Sequence, residues 1–196
     1  MDGYVDLYWL PVGAGKLSPP RKWSLWLWEA LDAATHRRAR KRLLHAALKL
    51  VDLAGTTFTV ELMPDFLPGT VPPAMTGSVG FSAAGRWRFF RYRLSCEPVE
   101  RLPDEEWAVQ SPSRLGDGNL ANTILALAPT APPYVWGLRA KGTREMWTSD
   151  SAISWLLIRA GVSLDGIGPP AGGRAPGWSA GIDAAPWKAT AAPAHS

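Results

Sequence analysis

Residues 177–181, Gly-Trp-Ser-Ala-Gly, match the G-x-S-x-G pattern that surrounds the nucleophilic serine of many hydrolases. Asp183 and His195 follow in the order that a Ser–Asp–His triad on such a motif requires. The motif also needs a strand before its serine and a helix after it, whereas Pro176 precedes this one and only fifteen residues follow it. We therefore interpret residues 177–181 as a structural segment rather than as an active site.

Cys96 is the only cysteine, and it ends a predicted strand beside Glu97, whose charge disfavours the reactive thiolate. A single cysteine allows no intramolecular disulfide, so nothing indicates an oxidising compartment. The chain has three histidines and no carboxylates at ligand spacing, so we expect no metal site. Residues 13–16 (GAGK) lack the first glycine and the Ser/Thr of a phosphate-binding loop. We expect no cofactor.

The clearest local pattern is an alternation of apolar and polar residues over Leu43–Leu50 and again over Thr57–Met63. It predicts a β-hairpin with one apolar face and a short loop around Gly55. Matching the apolar faces requires cross-strand partners whose residue numbers sum to an even value, and we expect a sum of 106. That register sets His45 directly opposite Glu61.

The strongest helical pattern covers residues 146–160. Residues 148–151 (TSDS) all favour positions at a helix N-terminus, an apolar stripe follows, and Gly161 ends the helix.

This run, from Thr148 to Leu157 (TSDSAISWLL), resembles the helix that opens with Asn-Cys-Asn-Ser in circularly permuted papain-like proteins of the NlpC/P60 and lecithin:retinol acyltransferase types. The segment 45–48 (HAAL) resembles the strand that carries the histidine of that family. The order of the two segments and their separation, 149 − 45 = 104 residues, fit the permuted arrangement. The resemblance implies a papain-like α+β fold, in which an antiparallel sheet of about five strands packs against the helix.

The family's nucleophile is a cysteine at the start of this helix, and here Ser149 stands in its place. A serine hydroxyl is far less acidic than a thiol, so it needs a base during attack and an oxyanion hole. The resemblance therefore implies a site in which Ser149 attacks, His45 is the base and Glu61 orients the imidazole. The expected substrate-binding residues are Trp147, which would wall the groove, with Asp150 and Ser151 at the helix start.

Two functions stay open at this point. One is a hydrolase or acyltransferase that acts on amide or ester bonds through an acyl-Ser149 intermediate. The other is a non-catalytic papain-like module that has lost the cysteine and binds a peptide, a lipid or a partner protein in the groove. In the second case Ser149 is a helix N-cap, His45 an ordinary strand histidine and Glu61 a surface acid.

The remaining elements follow from shorter patterns. We predict a first strand over 5–10, a proline-rich loop over 64–77, a strand over 87–94, a helix in the second half of 113–127 and a short strand or turn over 134–137. From residue 166 onward the sequence is rich in Gly, Pro and Ala, which predicts irregular structure.

The composition, 46% hydrophobic and 19% charged over 196 residues, is that of a globular chain. We expect one α+β domain over residues 1–183 and a flexible tail over 184–196. A net charge of +4 is too small to predict a nucleic-acid partner. No run is long and apolar enough for a signal peptide or a membrane span, so we expect a cytoplasmic protein.

Residues 24–35 (SLWLWEALDAAT) predict a further helix, which ends in the basic cluster 36–42 (HRRARKR). The tryptophans of this region would allow an interfacial membrane helix. The charge pattern favours a packed helix with a solvated basic end.

Overall fold

The structure, a computed structural model, describes residues 3–13 and 41–185. Its strands are β1 (Tyr4–Pro11), β2 (Arg42–Val51), β3 (Thr57–Pro64), β4 (Met75–Ser78), β5 (Arg91–Glu97), β6 (Ser113–Asp117) and β7 (Gly173–Arg174). Its α-helices are α1 (Gly118–Leu127), α2 (Ser149–Arg159) and α3 (Trp178–Ala184). The α+β class is confirmed. The predicted helix over 24–35, most of the basic cluster after it and the tail beyond residue 185 lie outside the described residues.

The strands form one sheet in the order β4-β5-β3-β2-β1-β6, with every neighbouring pair antiparallel. The short strand β7 joins β2 in parallel, away from this path. The antiparallel sheet, the first strand and the hairpin of β2 and β3 are therefore confirmed. No helix within residues 3–13 and 41–185 is long and apolar enough to cross a membrane.

The predicted register of the hairpin is wrong by two residues. Leu48 pairs with Val60 and Leu50 with Phe58, so the partner numbers sum to 108 rather than 106. The turn explains the difference, because Asp52 N–H donates to the Thr56 carbonyl and the loop between them ends at Gly55 with φ +80°. A three-residue loop with a left-handed glycine fixes this pairing. Glu61 consequently does not lie opposite His45.

The two faces of the sheet are covered differently. Alternation sends Leu44, Ala46 and Leu48 to the face where α1 and α2 complete the main core, around Ile124, Ile153 and Leu156. His45 lies on the opposite face, beside its β1 partner Leu10 and near Ala47. On that face Leu102 and the segment after it complete a second, smaller cluster.

Helix α3 begins within the G-x-S-x-G residues, which here serve packing. Gly177 precedes the helix with φ +84°, and α3 lies against α2. A Cβ atom at Gly181 would overlap the Ser151 carbonyl oxygen and the Ser154 hydroxyl. Ser154 Oγ also donates to the Trp178 carbonyl at 2.8 Å. The motif therefore permits two helices to approach closely.

Three further expectations about the elements are wrong. The strand expected over 87–94 is β5 at Arg91–Glu97, because only these residues pair with β3 and β4, while Ser82–Arg86 and Arg88–Phe90 form 3-10 turns. The loop expected over 64–77 contains the start of β4. The irregular segment expected from residue 166 contains β7 and α3, whose glycines let them pack closely on β2 and α2.

Candidate functional site

The site begins where β2 and β3 separate. Their pairing stops at Leu48 and Val60, although both strands continue, so β2 has an unpaired edge at Ala46. The start of α2 closes part of the gap, since Asp150 Oδ1 accepts a hydrogen bond of 2.7 Å from the Ala46 N–H. Strand β7 occupies the far end of the same edge, at Arg42 and Leu43. The separated strands leave an opening through the sheet.

A cavity of about 660 Å³ fills this opening. Its apolar lining is Val12, Leu43, Leu44, Leu62, Met63, Pro64, Trp136, Met146 and Pro176. Its polar lining includes His45, Glu61, Thr148, Ser149 and Asp150. The volume lies in the range of about 300–1,000 Å³ that is usual for small-molecule sites.

Four of the site residues predicted from the sequence line this cavity, namely His45, Glu61, Ser149 and Asp150. Helix α2 packs on the face of the sheet opposite to His45. Ser149 and His45 reach the same cavity because the sheet is open between β2 and β3.

The helix start also corrects three individual roles. Thr148, not Ser149, is the N-cap of α2, and its Oγ1 accepts from the Asp150 N–H. Ser151 is wholly buried, accepting from the Thr148 N–H and donating to the Gly177 carbonyl, so it holds α2 to α3 rather than contacting a ligand. Trp147 is wholly buried in the core and does not line the cavity.

Ser149, His45 and Glu61 are not joined by hydrogen bonds. Within residues 3–13 and 41–185, none of the three side chains makes a hydrogen bond. Ser149 is the first residue of α2, half-buried, with its hydroxyl unengaged. The relay from carboxylate through imidazole to hydroxyl that a hydrolytic triad requires is therefore not assembled in this structure.

Burial sets the charge of the cavity's titratable groups. Desolvation lowers the pKa of the His45 imidazole to about 4, and the charge of Asp104 opposes this only in part. Desolvation, with the negative charges of Asp104 and Glu97, raises the pKa of Glu61 to about 7 against the opposing effect of Arg93. At neutral pH the imidazole is uncharged and about half of the Glu61 carboxyl groups are protonated.

Asp150 is the most buried of these acids, at 2% exposure. Desolvation raises its pKa well above the ordinary range, the Glu145 charge adds to the rise, and the hydrogen bond from Ala46 offsets part of it. Burial therefore favours the neutral form of this carboxyl group over the ionised form.

Asp104 was not predicted from the sequence, although its negative charge raises the pKa of both His45 and Glu61. Asp104 has φ +62°, in the left-handed region, at the start of the 3-10 turn Glu105–Trp107. Glu105 fixes this turn to the sheet by accepting from Lys49 Nζ at 3.0 Å and from the Tyr8 hydroxyl at 3.2 Å. No local pattern marks Asp104, because only the tertiary fold brings it to the sheet.

The only cysteine, Cys96, does not line the cavity. Burial and the Glu97 charge raise the pKa of the Cys96 thiol to about 11, so the thiol is unreactive at neutral pH. Among the described residues there is no group of three or more His, Cys, Asp or Glu side chains that could hold a metal ion.

Comparison of the chain with protein-family models, with curated proteins and with solved structures finds no match.

Proposed function

We propose that this protein is a binding module that takes an apolar, acyl-like chain into the cavity between β2 and β3. The observation that carries the proposal is the cavity itself, about 660 Å³ with nine apolar side chains in its lining. Burial of apolar surface, at about 25 cal/mol per Å², is the main source of affinity in a site of this kind.

The electrostatics of the cavity favour binding over catalysis. A base works best when its pKa is near the operating pH, and an imidazole with a pKa of about 4 accepts protons poorly at pH 7. Glu61, half protonated near pH 7, stabilises an imidazolium weakly. The uncharged His45 imidazole and the Ser149 hydroxyl suit the uncharged polar end of an acyl compound, such as an ester or amide, because they donate and accept hydrogen bonds without a buried charge.

Fluorescence titration tests the proposal with cis-parinaric acid and its methyl ester as probes. The variant Leu43→Trp fills the cavity and should weaken binding of both probes at least tenfold. The matched control is Leu53→Trp, at an exposed position of the hairpin loop outside the cavity lining, which should leave binding within twofold. Equal binding by both variants, or no binding by the folded wild-type protein, would rule the proposal out.

A second candidate function, acyl transfer through Ser149, is supported by one observation. The unengaged hydroxyl of Ser149, at the first turn of α2, borders the same cavity as His45. A relation to permuted papain-like domains belongs to this candidate and stays a proposal. Labelling by a serine-reactive fluorophosphonate that disappears in Ser149→Ala, but persists in Ser163→Ala, would favour it.

The two candidates separate cleanly in these assays. The binding module predicts that Ser149→Ala loses no more than a few-fold in probe affinity and that the wild type is not labelled by the fluorophosphonate. The acyltransferase predicts labelling at Ser149. It also predicts that Ser149→Cys gains a reactive thiol, because a helix N-terminus favours the thiolate.

A further inference from the structure

Four exposed aromatic side chains form a continuous patch between the loop after β3 and the 3-10 turns before β5. The rings of Phe66 and Phe89 stack at 5.4 Å, Phe89 meets Phe90 edge to face at 5.3 Å, and Phe90 meets Trp87 at 6.4 Å. Each of the four is between 39% and 68% exposed. We call these residues the aromatic patch. Exposed apolar groups that adjoin one another usually mark a binding surface.

Arginines surround the aromatic patch with a local excess of positive charge. The guanidinium of Arg86 lies 3.9 Å from the centre of the Trp87 ring. Arg88 and Arg91 both pair with Asp65, at 3.7 Å and 2.7 Å, so two cations share one carboxylate. Residues 81–92 contain three arginines and no acidic residue. The surface that accompanies the exposed rings is therefore complementary to an anionic partner.

We propose that the aromatic patch and its arginines bind the protein peripherally to an anionic membrane surface. Phenylalanine and tryptophan side chains enter the boundary between headgroups and acyl chains, and arginines beside them pair with anionic headgroups. The aromatic patch combines both features on one exposed surface, formed by the loop after β3 and the 3-10 turns before β5.

The ring geometry favours lipid over nucleic acid. Stacking of bases needs aromatic faces that are open to solvent. Here Phe66 and Phe89 cover one face of each other, Phe89 and Phe90 meet edge to face, and Arg86 lies over Trp87. Because these contacts occupy ring faces, the aromatic patch suits insertion among acyl chains better than stacking of bases.

The aromatic patch is close along the chain to residues that line the cavity. Pro64 lines the cavity, and Asp65 and Phe66 follow it directly in the chain. Trp136 lines the cavity from the other side, is 39% exposed, and accepts a hydrogen bond from the Gly80 N–H just before this region. Phe66 is thus two residues from the cavity lining, and the membrane contact does not require the cavity to be occupied.

Co-sedimentation of the full chain with vesicles tests the inference. We compare phosphatidylcholine vesicles with vesicles that contain 30% phosphatidylserine, at 0.1 M and 0.5 M NaCl. The wild type should bind the anionic vesicles and lose most binding at high salt. The double variants Phe66→Ser/Phe89→Ser and Arg86→Gln/Arg88→Gln should each lower the partition coefficient at least tenfold.

Matched controls keep the result specific to this surface. Leu53→Ser/Trp107→Ser removes exposed apolar side chains elsewhere, and Arg101→Gln/Lys141→Gln removes exposed charges elsewhere, so both should stay within twofold of wild type. Circular dichroism and thermal melting verify that each variant is folded.

Several outcomes would overturn the inference. The first is no binding of the folded wild type to anionic vesicles. A second is binding that only Arg38→Gln/Arg40→Gln abolishes, which would assign the contact to the basic cluster of residues 36–42. A third is a wild-type dimer that dissociates in the Phe66→Ser/Phe89→Ser variant, which would mean that the aromatic patch binds a second copy of the chain. A fourth is a wild type that binds oligonucleotides but not vesicles and loses the oligonucleotide binding in both patch variants.

Discussion

Asp150 does for β2 what a backbone carbonyl of β3 does in a regular sheet. Where the strands separate, its carboxyl oxygen accepts from the Ala46 N–H at 2.7 Å, so the edge of β2 keeps a partner. A buried N–H left without an acceptor costs about 1–3 kcal/mol. This single side chain therefore makes the opening of the sheet compatible with a stable fold.

Replacing Asp150 with Ala should lower the free energy of unfolding by about 1–3 kcal/mol, because the Ala46 N–H loses its acceptor. Asp150→Asn keeps an oxygen acceptor and removes a buried acid, so it should match the wild type at pH 7 or exceed it. Urea unfolding measures both variants, with the exposed Asp165→Ala as a control that should change little. Equal losses for Ala and Asn would mean that the acceptor is not what matters.

The same residues show how far the sequence determines a site. The cavity is lined by four residues that the sequence predicted: Ser149, His45, Glu61 and Asp150. The helical pattern and the alternation of β2 and β3 were enough to predict these positions. Their protonation, and the place of Asp104 beside two of them, come from burial and from a distant turn. No local pattern carries that information.

At the scale of elements, the contact between α2 and α3 depends on Gly181. A Cβ there would overlap Ser151 and Ser154, whose hydroxyls already donate to the Gly177 and Trp178 carbonyls. Gly181→Ala should lower the free energy of unfolding by about 1–3 kcal/mol, the usual cost of overpacking. Gly168→Ala is the control, since nothing lies within 4 Å of the added Cβ, and it should change stability by less than about 0.5 kcal/mol.

Chemical denaturation followed by tryptophan fluorescence compares the two glycine variants. If Gly181→Ala proves as stable as Gly168→Ala, α2 and α3 are not packed as closely as the structure has them.

Element by element, the strand patterns over 5–10, 43–50 and 57–63 and the helical pattern over 146–160 predicted β1, β2, β3 and α2 well. The predicted hairpin register was wrong because alternation shows only that the residue numbers of cross-strand partners must sum to an even value. The turn that ends at Gly55 determines which even value, 108, is adopted. β4, β7 and α3 escaped prediction because their residues favour turns, and they form only against strands and helices already in place.

For the whole molecule, the stability depends on pH through buried groups whose pKa values are shifted in opposite directions by folding. The folded-state pKa of Glu61 is raised from about 4.5 to about 7, so its contribution is full below pH 4.5 and is lost as the pH rises through 7. The pKa of Asp150 is also raised, and its contribution is likewise lost at higher pH. The pKa of His45 is lowered to about 4, so its contribution is present above pH 6.5 and lost as the pH falls through 4.

These opposing losses predict that stability is greatest at intermediate pH, between the acid loss from His45 and the alkaline loss from Glu61 and Asp150. Glu61→Gln removes one loss on the alkaline side and should move the maximum to higher pH. His45→Gln removes the loss on the acid side and should move it to lower pH, each by up to about one unit. Glu106→Gln, at an exposed position, serves as the control and should leave the maximum in place. Thermal melts from pH 4 to 8.5 measure all four proteins. A maximum above pH 7.5 that neither variant moves would show that His45 and Glu61 are not buried together as the structure has them.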